Sequence, residues 1–253
     1  MPVPAIESPI ELVALFELEV DRRLRLTVAE SEAYAARLAG ALESAGVRLE
    51  RPQFVVLVDR DASAQALLLW WATPDGLTLL IGASPVSTGR PRGFEHFETP
   101  TGVFEHSLAN LDFRAEGVLN EFGIRGYGDK GMRVFDFGWV PARRGWAPGE
   151  QLMRLPMHAT DRQKLEPRLG QRESKGCIRI PATLNRWIDR YGVLDAAYEE
   201  ALAAGRQFWV LRGDRMPTPW SGRYLVIIDS QRSEPTAASA SAPLGSVSAA
   251  IAC

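Results

Sequence analysis

The sequence predicts a mainly β protein, a curved sheet or barrel-like sandwich over about residues 53–229, with an N-terminal helical hairpin and a helix after Cys177. Three observations predict it. From Phe54 onward, short apolar runs (Phe54 to Val58, Ala66 to Trp71, Leu77 to Gly82) are separated by the turn-forming stretches Asp59-Arg60-Asp61 and Thr73-Pro74-Asp75-Gly76, the pattern of antiparallel strands. Before residue 50 the apolar spacing is helical instead. The 253 residues are 46% hydrophobic and 24% charged, which is enough apolar material for one large core in an ordinary globular chain.

Residues 8–26 form the first expected helix, with Ser8 as its cap, Pro9 in its first turn and Ile10, Leu12, Val13, Leu15, Phe16, Leu18, Val20 and Leu24 as its apolar positions. Thr27 caps a second helix, Glu30 completes a capping box three residues on, and Gly46 stands near its end. Residues 1–50 therefore read as a helical extension on a domain spanning 53–229.

Within that domain, candidate strands at Arg133 to Trp139 and Leu152 to Met157 lead into His158, so this histidine ends a strand. Gly126-Tyr127-Gly128-Asp129-Lys130-Gly131 has the glycine spacing of a dinucleotide loop, but Met132 to Phe137 alternates like a strand where that loop needs a helix; a turn is expected. After Arg179, Pro181 opens a helix carrying Leu184, Trp187, Ile188 and Tyr191, and Leu194 to Ala204 forms another that ends at Gly205. Strands at Phe208 to Leu211 and Tyr224 to Ile228 complete the sheet. Residues 230–253, rich in Ser, Ala and Pro, are expected to be a disordered tail.

The net charge of −2 gives no reason to expect a nucleic-acid partner. No apolar run reaches the roughly 18 residues of a membrane span. No Lys or Arg precedes the short apolar run Ile10 to Phe16, which Glu11 interrupts, so no secretory signal is expected. Residues 140–180 carry nine Lys or Arg against four acids, a local excess of five positive charges suited to steering an anionic substrate or simply to a solvated loop.

The chemistry centres on Cys177, one of two cysteines; the other is the terminal Cys253, and no structural disulfide is expected. A thiol attacks a carbonyl only as thiolate, and its ordinary pKa of about 8.5 calls for a nearby base or cation. His158 is the candidate base. Their separation of nineteen positions exceeds one helix face and suits a loop that folds back. Gly176 permits close backbone approach to a substrate, and Lys175 adds positive charge beside the thiol. Arg179 holds a substrate carboxylate or braces the loop from behind; Ser174 bonds the turn or supports the site. His96 and His106 lack the spacing of a zinc site, so no metal is expected. Asp161, Glu166 and Glu173 read as screened surface charge.

His158, fifteen intervening residues, then Ser174-x-Gly176-Cys177-Ile178-Arg179 resembles the signature of the L,D-transpeptidase (YkuD-like) catalytic domain, cysteine enzymes that crosslink peptidoglycan. Thr99-Pro100-Thr101-Gly102-Val103-Phe104 is similar to the Thr-Pro-x-Gly-x-Phe segment that precedes that signature. Lys175 stands where the family commonly has histidine. The resemblance implies a β-rich domain, peptidoglycan stem peptides as partners, an envelope or periplasmic location and no cofactor. It also implies that Cys177 is nucleophile and His158 its base, oriented by the main-chain carbonyl of Ala159. Gly176 and Cys177 N–H groups would hold the oxyanion. Water in place of the acceptor amine would make an L,D-carboxypeptidase, and loss of turnover a cell-envelope binding module.

Overall fold

The computed structural model describes residues 6–231. Two helices come first, α1 (Pro9–Glu19) and α2 (Val28–Ser44). Nine strands and two more helices follow: β1 (Gln53–Asp59), β2 (Ala66–Ala72), β3 (Thr78–Pro85), β4 (Gly102–Glu105), β5 (Phe113–Arg114), β6 (Arg133–Arg143), β7 (Glu150–Ala159), β8 (Ile178–Ile180), α3 (Ala182–Arg190), α4 (Ala196–Ala203) and β9 (Tyr224–Ile228). The protein is mainly β, in two sheets ordered β3-β2-β1-β9-β4 and β5-β6-β7-β8. Neither closes into a barrel.

Side-chain alternation decides what each face of the five-stranded sheet meets. Phe54, Val56, Val58, Leu67, Leu69, Leu225 and Ile227 pack in one core with Phe135, Met153, Leu155, Met157, Ile178 and Ile180 of the other sheet. The intervening residues Val55, Leu57, Leu68, Trp70 and Val226 form a second core with Leu38 and Leu42 of α2. The strands are thus apolar on both faces, which explains their uninterrupted hydrophobic runs.

The first two helices do not form the expected hairpin. Leu12 and Phe16 of α1 belong to the core between the sheets, whereas α2 covers the opposite face of the five-stranded sheet. Phe16 meets Trp187 of α3 edge to face, 5.4 Å between ring centroids. It lies flat on β3 because Gly82 has no Cβ, which would stand 2.2 Å from its ring. The cap of α2 is the one expected: Thr27 Oγ1 accepts from Glu30 N–H at 3.2 Å, and Glu30 Oε2 accepts from Thr27 N–H at 2.7 Å.

Both sheets are mixed, against the antiparallel expectation, because β1 pairs β9 and β7 pairs β8 in parallel. A parallel pair needs a crossover of a dozen residues or more, and residues 160–177 supply one. The expected strand at Phe208 to Leu211 is absent: the segment is a turn in which Val210 offers its carbonyl to the Arg114 guanidinium and Trp209 faces solvent. The glycine-rich stretch at 126–131 is the expected turn, closed by Gly128 N–H to Arg125 O and Met132 N–H to Asp129 O, each 3.1 Å. Among the described residues no helix is long and apolar enough to cross a membrane. The expected tail and Cys253 lie outside the described residues, apart from Ser230 and Gln231 at its start.

Candidate functional site

The parallel pairing of β7 and β8 sets Met157 beside Ile178 and His158 beside Arg179. Met157, Ile178 and Ile180 point into the core between the sheets, so alternation sends His158 and Arg179 to the other face. Cys177, one residue before β8, has the parity of Arg179 and falls on the side of His158. Its place is one diagonal step away, about 8 Å between backbones for adjacent strands. The fold-back expected of residues 159–173 is this crossover. Cys177 is a thiol, and it and His158 are both fully buried.

His158 Nδ1 donates to the carbonyl of Ala159, which fixes the tautomer and leaves the basic lone pair on Nε2. The Tyr127 ring packs edge-on against the imidazole, 4.7 Å between centroids. The acceptor is the one the resemblance implied.

The 174–177 turn is held from several directions. Ser174 Oγ accepts from Gly176 N–H at 3.0 Å and donates to Cys177 O at 2.6 Å. Of the two roles open to Ser174, the turn role is the observed one. It also corrects an expectation about Gly176, whose N–H is spent inside the turn and is not offered to an oxyanion. Thr99 Oγ1 donates to Gly176 O and accepts from Gly89 N–H, each 2.7 Å. Phe97 N–H reaches Lys175 O at 2.9 Å. Gly176 has φ +135°, and a Cβ there would meet Met153 Sδ at 2.8 Å, so any other residue would be strained there. Thr99 thus joins the two resembling segments physically. Sequence reasoning quoted it without giving it a role; the threonine hydroxyl beside a proline-led turn was the available signal.

Lys175 does not present an unshared charge to the site. Its Nζ stands 3.5 Å from the Glu95 carboxylate, with both side chains substantially exposed. The basic excess over 140–180 is likewise largely compensated, as Arg143 pairs with Glu98, Arg154 with Asp136, Arg168 with Glu173 and Arg172 with Asp229. Arg179 differs. Its Nη1 reaches only the Glu173 carbonyl at 3.4 Å, and its buried Nε has no hydrogen-bond partner among the described residues.

The remaining expected residues are structural. Asp161 accepts N–H bonds from Gln163, Lys164 and Arg125 at 2.8–3.0 Å, and these bonds outweigh burial to hold its carboxyl below the ordinary range. Glu166 is buried, contrary to the surface role expected for it, and accepts Ala182 N–H at 3.0 Å at the start of α3. His106 lies between two acceptors, Leu194 O and Asp112 Oδ1, each at 2.7 Å, so both ring nitrogens must donate and the ring is an imidazolium. Burial opposes that charge, but the Asp112 carboxylate prevails and raises its pKa. Asp112 in turn binds Arg133 Nε at 2.6 Å, and Arg133 pairs with Asp195 at 2.7 Å. His96 is held below its ordinary pKa by burial and by the nearby cations Arg90, Lys175 and Arg179, against the pull of the Phe94 carbonyl. Among the described residues no group of three or more His, Cys, Asp or Glu is placed to hold a metal ion.

No protein-family model matches the chain, and no curated protein matches it.

Proposed function

We propose that the protein is an L,D-transpeptidase-type cysteine acyltransferase acting on peptidoglycan stem peptides, its domain a β-rich one of that catalytic type working in the cell envelope. The observation that carries this reading is the side shared by His158 on β7 and Cys177 just before the parallel strand β8, with Nδ1 of the histidine committed to Ala159 O. Nε2 is then the one ring nitrogen able to take a proton from the thiol.

The thiol gives its proton to His158 Nε2, and Sγ attacks the carbonyl carbon of the third stem residue. The C–S bond forms and the C–N bond to the terminal D-alanine breaks as His158 returns the proton to the departing amine. An amine of a second stem peptide attacks the thioester and loses its proton to His158, and the thiolate leaves and is reprotonated. No metal or organic cofactor takes part in this scheme. Water in the amine's place turns the same site into an L,D-carboxypeptidase.

Intact-protein mass spectrometry after mixing with a tetrapeptide stem tests the scheme. A mass gain equal to the acyl tripeptide, absent in Cys177→Ala, is the expected result; turnover by Cys177→Ala near the wild-type rate would remove the nucleophile. One observation favours a second reading, a non-catalytic envelope-binding module: the complete burial of Cys177. That module would show no acyl adduct and no alkylation by iodoacetamide at neutral pH.

A further inference from the structure

The cysteine turn has a different neighbour on each side. On one, β7 brings His158 through its parallel pairing with β8. On the other, residues 87–97 run back along the turn: Ser87 bridges Arg179, Gly89 bridges Ser174, and Phe97 N–H donates to Lys175 O at 2.9 Å. A second histidine, His96, stands on that far side. Phe97 belongs to the core between the sheets, and a Cβ on Gly176 would point at Phe97 and Met153. Alternation therefore turns His96, like Cys177, away from that core.

The loop before Phe97 is shaped around the His96 ring. Gly93 has φ +129° and Glu95 φ +57°; a positive φ is uncommon for a residue with a side chain, and such strain gathers where ligands are held. A Cβ at position 93 would stand 3.0 Å from the ring's Nδ1. These two turns close His96 Nδ1–H onto Phe94 O at 2.8 Å, and among the described residues Nε2 has no hydrogen-bond partner. His158 is committed in the same manner, Nδ1–H to Ala159 O. Both rings thus present Nε2 as the accepting nitrogen. Burial, reinforced by the cations Arg90, Lys175 and Arg179, lowers the pKa of His96 and keeps it uncharged at neutral pH. The Glu95 carboxylate, 3.5 Å from Lys175 Nζ, completes the charged surroundings. The ring is not sealed, since 9% of the residue's surface is exposed.

We propose that His96 Nε2 binds the acceptor amine in the second half of the reaction, across the cysteine turn from His158. The proposal rests on the acyl-transfer reading and deepens it by naming the acceptor class, primary amines. A neutral primary amine has two N–H groups and one lone pair. With one N–H given to His96 and the other to His158, the lone pair is left facing the thioester carbon between them. The C–N bond forms from that lone pair, and the C–S bond breaks with its electron pair going to sulfur. The proton shed by the amine passes to His158 Nε2, and His96 ends the step unprotonated. An amine with a single N–H can satisfy only one of the two rings, and its lone pair is not fixed.

The test separates the two half-reactions. The donor is a tetrapeptide stem whose side-chain amine is acetylated; the acceptor is a stem with that amine free, compared with the same stem N-methylated there. Rapid-quench mass spectrometry reads the formation of the Cys177 acyl adduct and then its discharge by acceptor. Wild type is expected to prefer the primary amine by about tenfold or more, on the order of one hydrogen bond to the attacking group. His96→Phe is expected to slow discharge about tenfold more than it slows adduct formation, and to lose that preference. His96→Gln, whose side-chain oxygen accepts an N–H, is expected to recover most of the discharge rate. Equal slowing of both half-reactions in His96→Phe overturns the role, as does a wild type that takes the two amines equally or an adduct that neither amine discharges. If His96→Phe fails to fold, His96→Leu reads the same rates, and the preference of wild type decides if neither folds. No adduct on wild type sinks the acyl-transfer reading and this inference with it, whereas an adduct discharged by His96→Phe as fast as by wild type sinks the role of His96 alone.

Discussion

Replacing Thr99 by valine removes one oxygen atom and keeps the shape. That oxygen accepts Gly89 N–H and donates to Gly176 O, at 2.7 Å each, in a fully buried position. Valine leaves both main-chain groups buried and unbonded, at about 1–3 kcal/mol apiece, so the change costs roughly 2–6 kcal/mol in all with no cavity contribution. For a chain of this length each kcal/mol is worth about 2–4 °C in Tm, and a fall of roughly 4–24 °C in calorimetry is expected. The Gly176 carbonyl also loses its tether, and a loop displaced by about 1 Å is enough to slow acylation on the order of 100-fold. Thr99→Ser keeps the hydroxyl and should recover most of both losses. A Thr99→Val protein with unchanged Tm and acyl-adduct rate, or one matched in its losses by Thr99→Ser, would refute the idea that this hydroxyl holds the cysteine turn.

Three further outcomes are expected. The raised pKa of His106 makes its contribution to stability complete below its unfolded value of about 6.5 and lost as pH rises through the folded value. Asp112, lowered because His106 and Arg133 outweigh its burial, contributes above about 3.9 and loses that contribution as pH falls through its folded pKa. Urea midpoints should therefore decline on the alkaline side, and His106→Gln should cost about 3–5 kcal/mol near neutrality and flatten that decline; an unchanged alkaline slope in the variant contradicts the assignment. Gly89→Ala puts a Cβ 2.0 Å from Phe97 O and 2.8 Å from Gly176 Cα, so a loss of at least about 1–3 kcal/mol with slower acylation is expected from denaturation and adduct kinetics. Lys175→His should leave stability within about 0.5 kcal/mol, because its ion pair with Glu95 is exposed, and should preserve or raise activity; complete inactivity would assign the lysine a role of its own.

Much of the fold was written in local patterns. Thr27 and Glu30 announced a capping box that is present, and Arg133 to Trp139 and Leu152 to Met157 lie in the two longest strands, β6 and β7. Three strands escaped notice because they are two to four residues long: β4, β5 and β8 are made by pairing partners and not by their own hydrophobicity. The opposed placement of α1 and α2 was implicit in Phe54 to Val58, since an unbroken apolar run needs cover on both faces; the helical spacing alone says nothing about which face. Phe208 to Leu211 alternates like a strand, but the hydrogen bonds go to the distant Arg114, a partner no local pattern reveals. At the site, Cys177 and His158 were legible as residue types at a fold-back distance. That Ser174 consumes the Gly176 N–H, and that Glu95 meets Lys175, depends on turn geometry and on a loop eighty residues upstream in the chain.

The strand order β3-β2-β1-β9-β4 puts the last strand of the described residues inside its sheet. On a ribosome, β4 emerges before its neighbour, since among the described residues its only ladder is with β9, and the segment bearing Thr99 runs directly into β4. The cysteine turn consequently lacks the Thr99 brace until residues 224–228 have been made. A product lacking residues 224–228 would carry the cysteine and the histidine without the strand on which the segment after Thr99 is ordered.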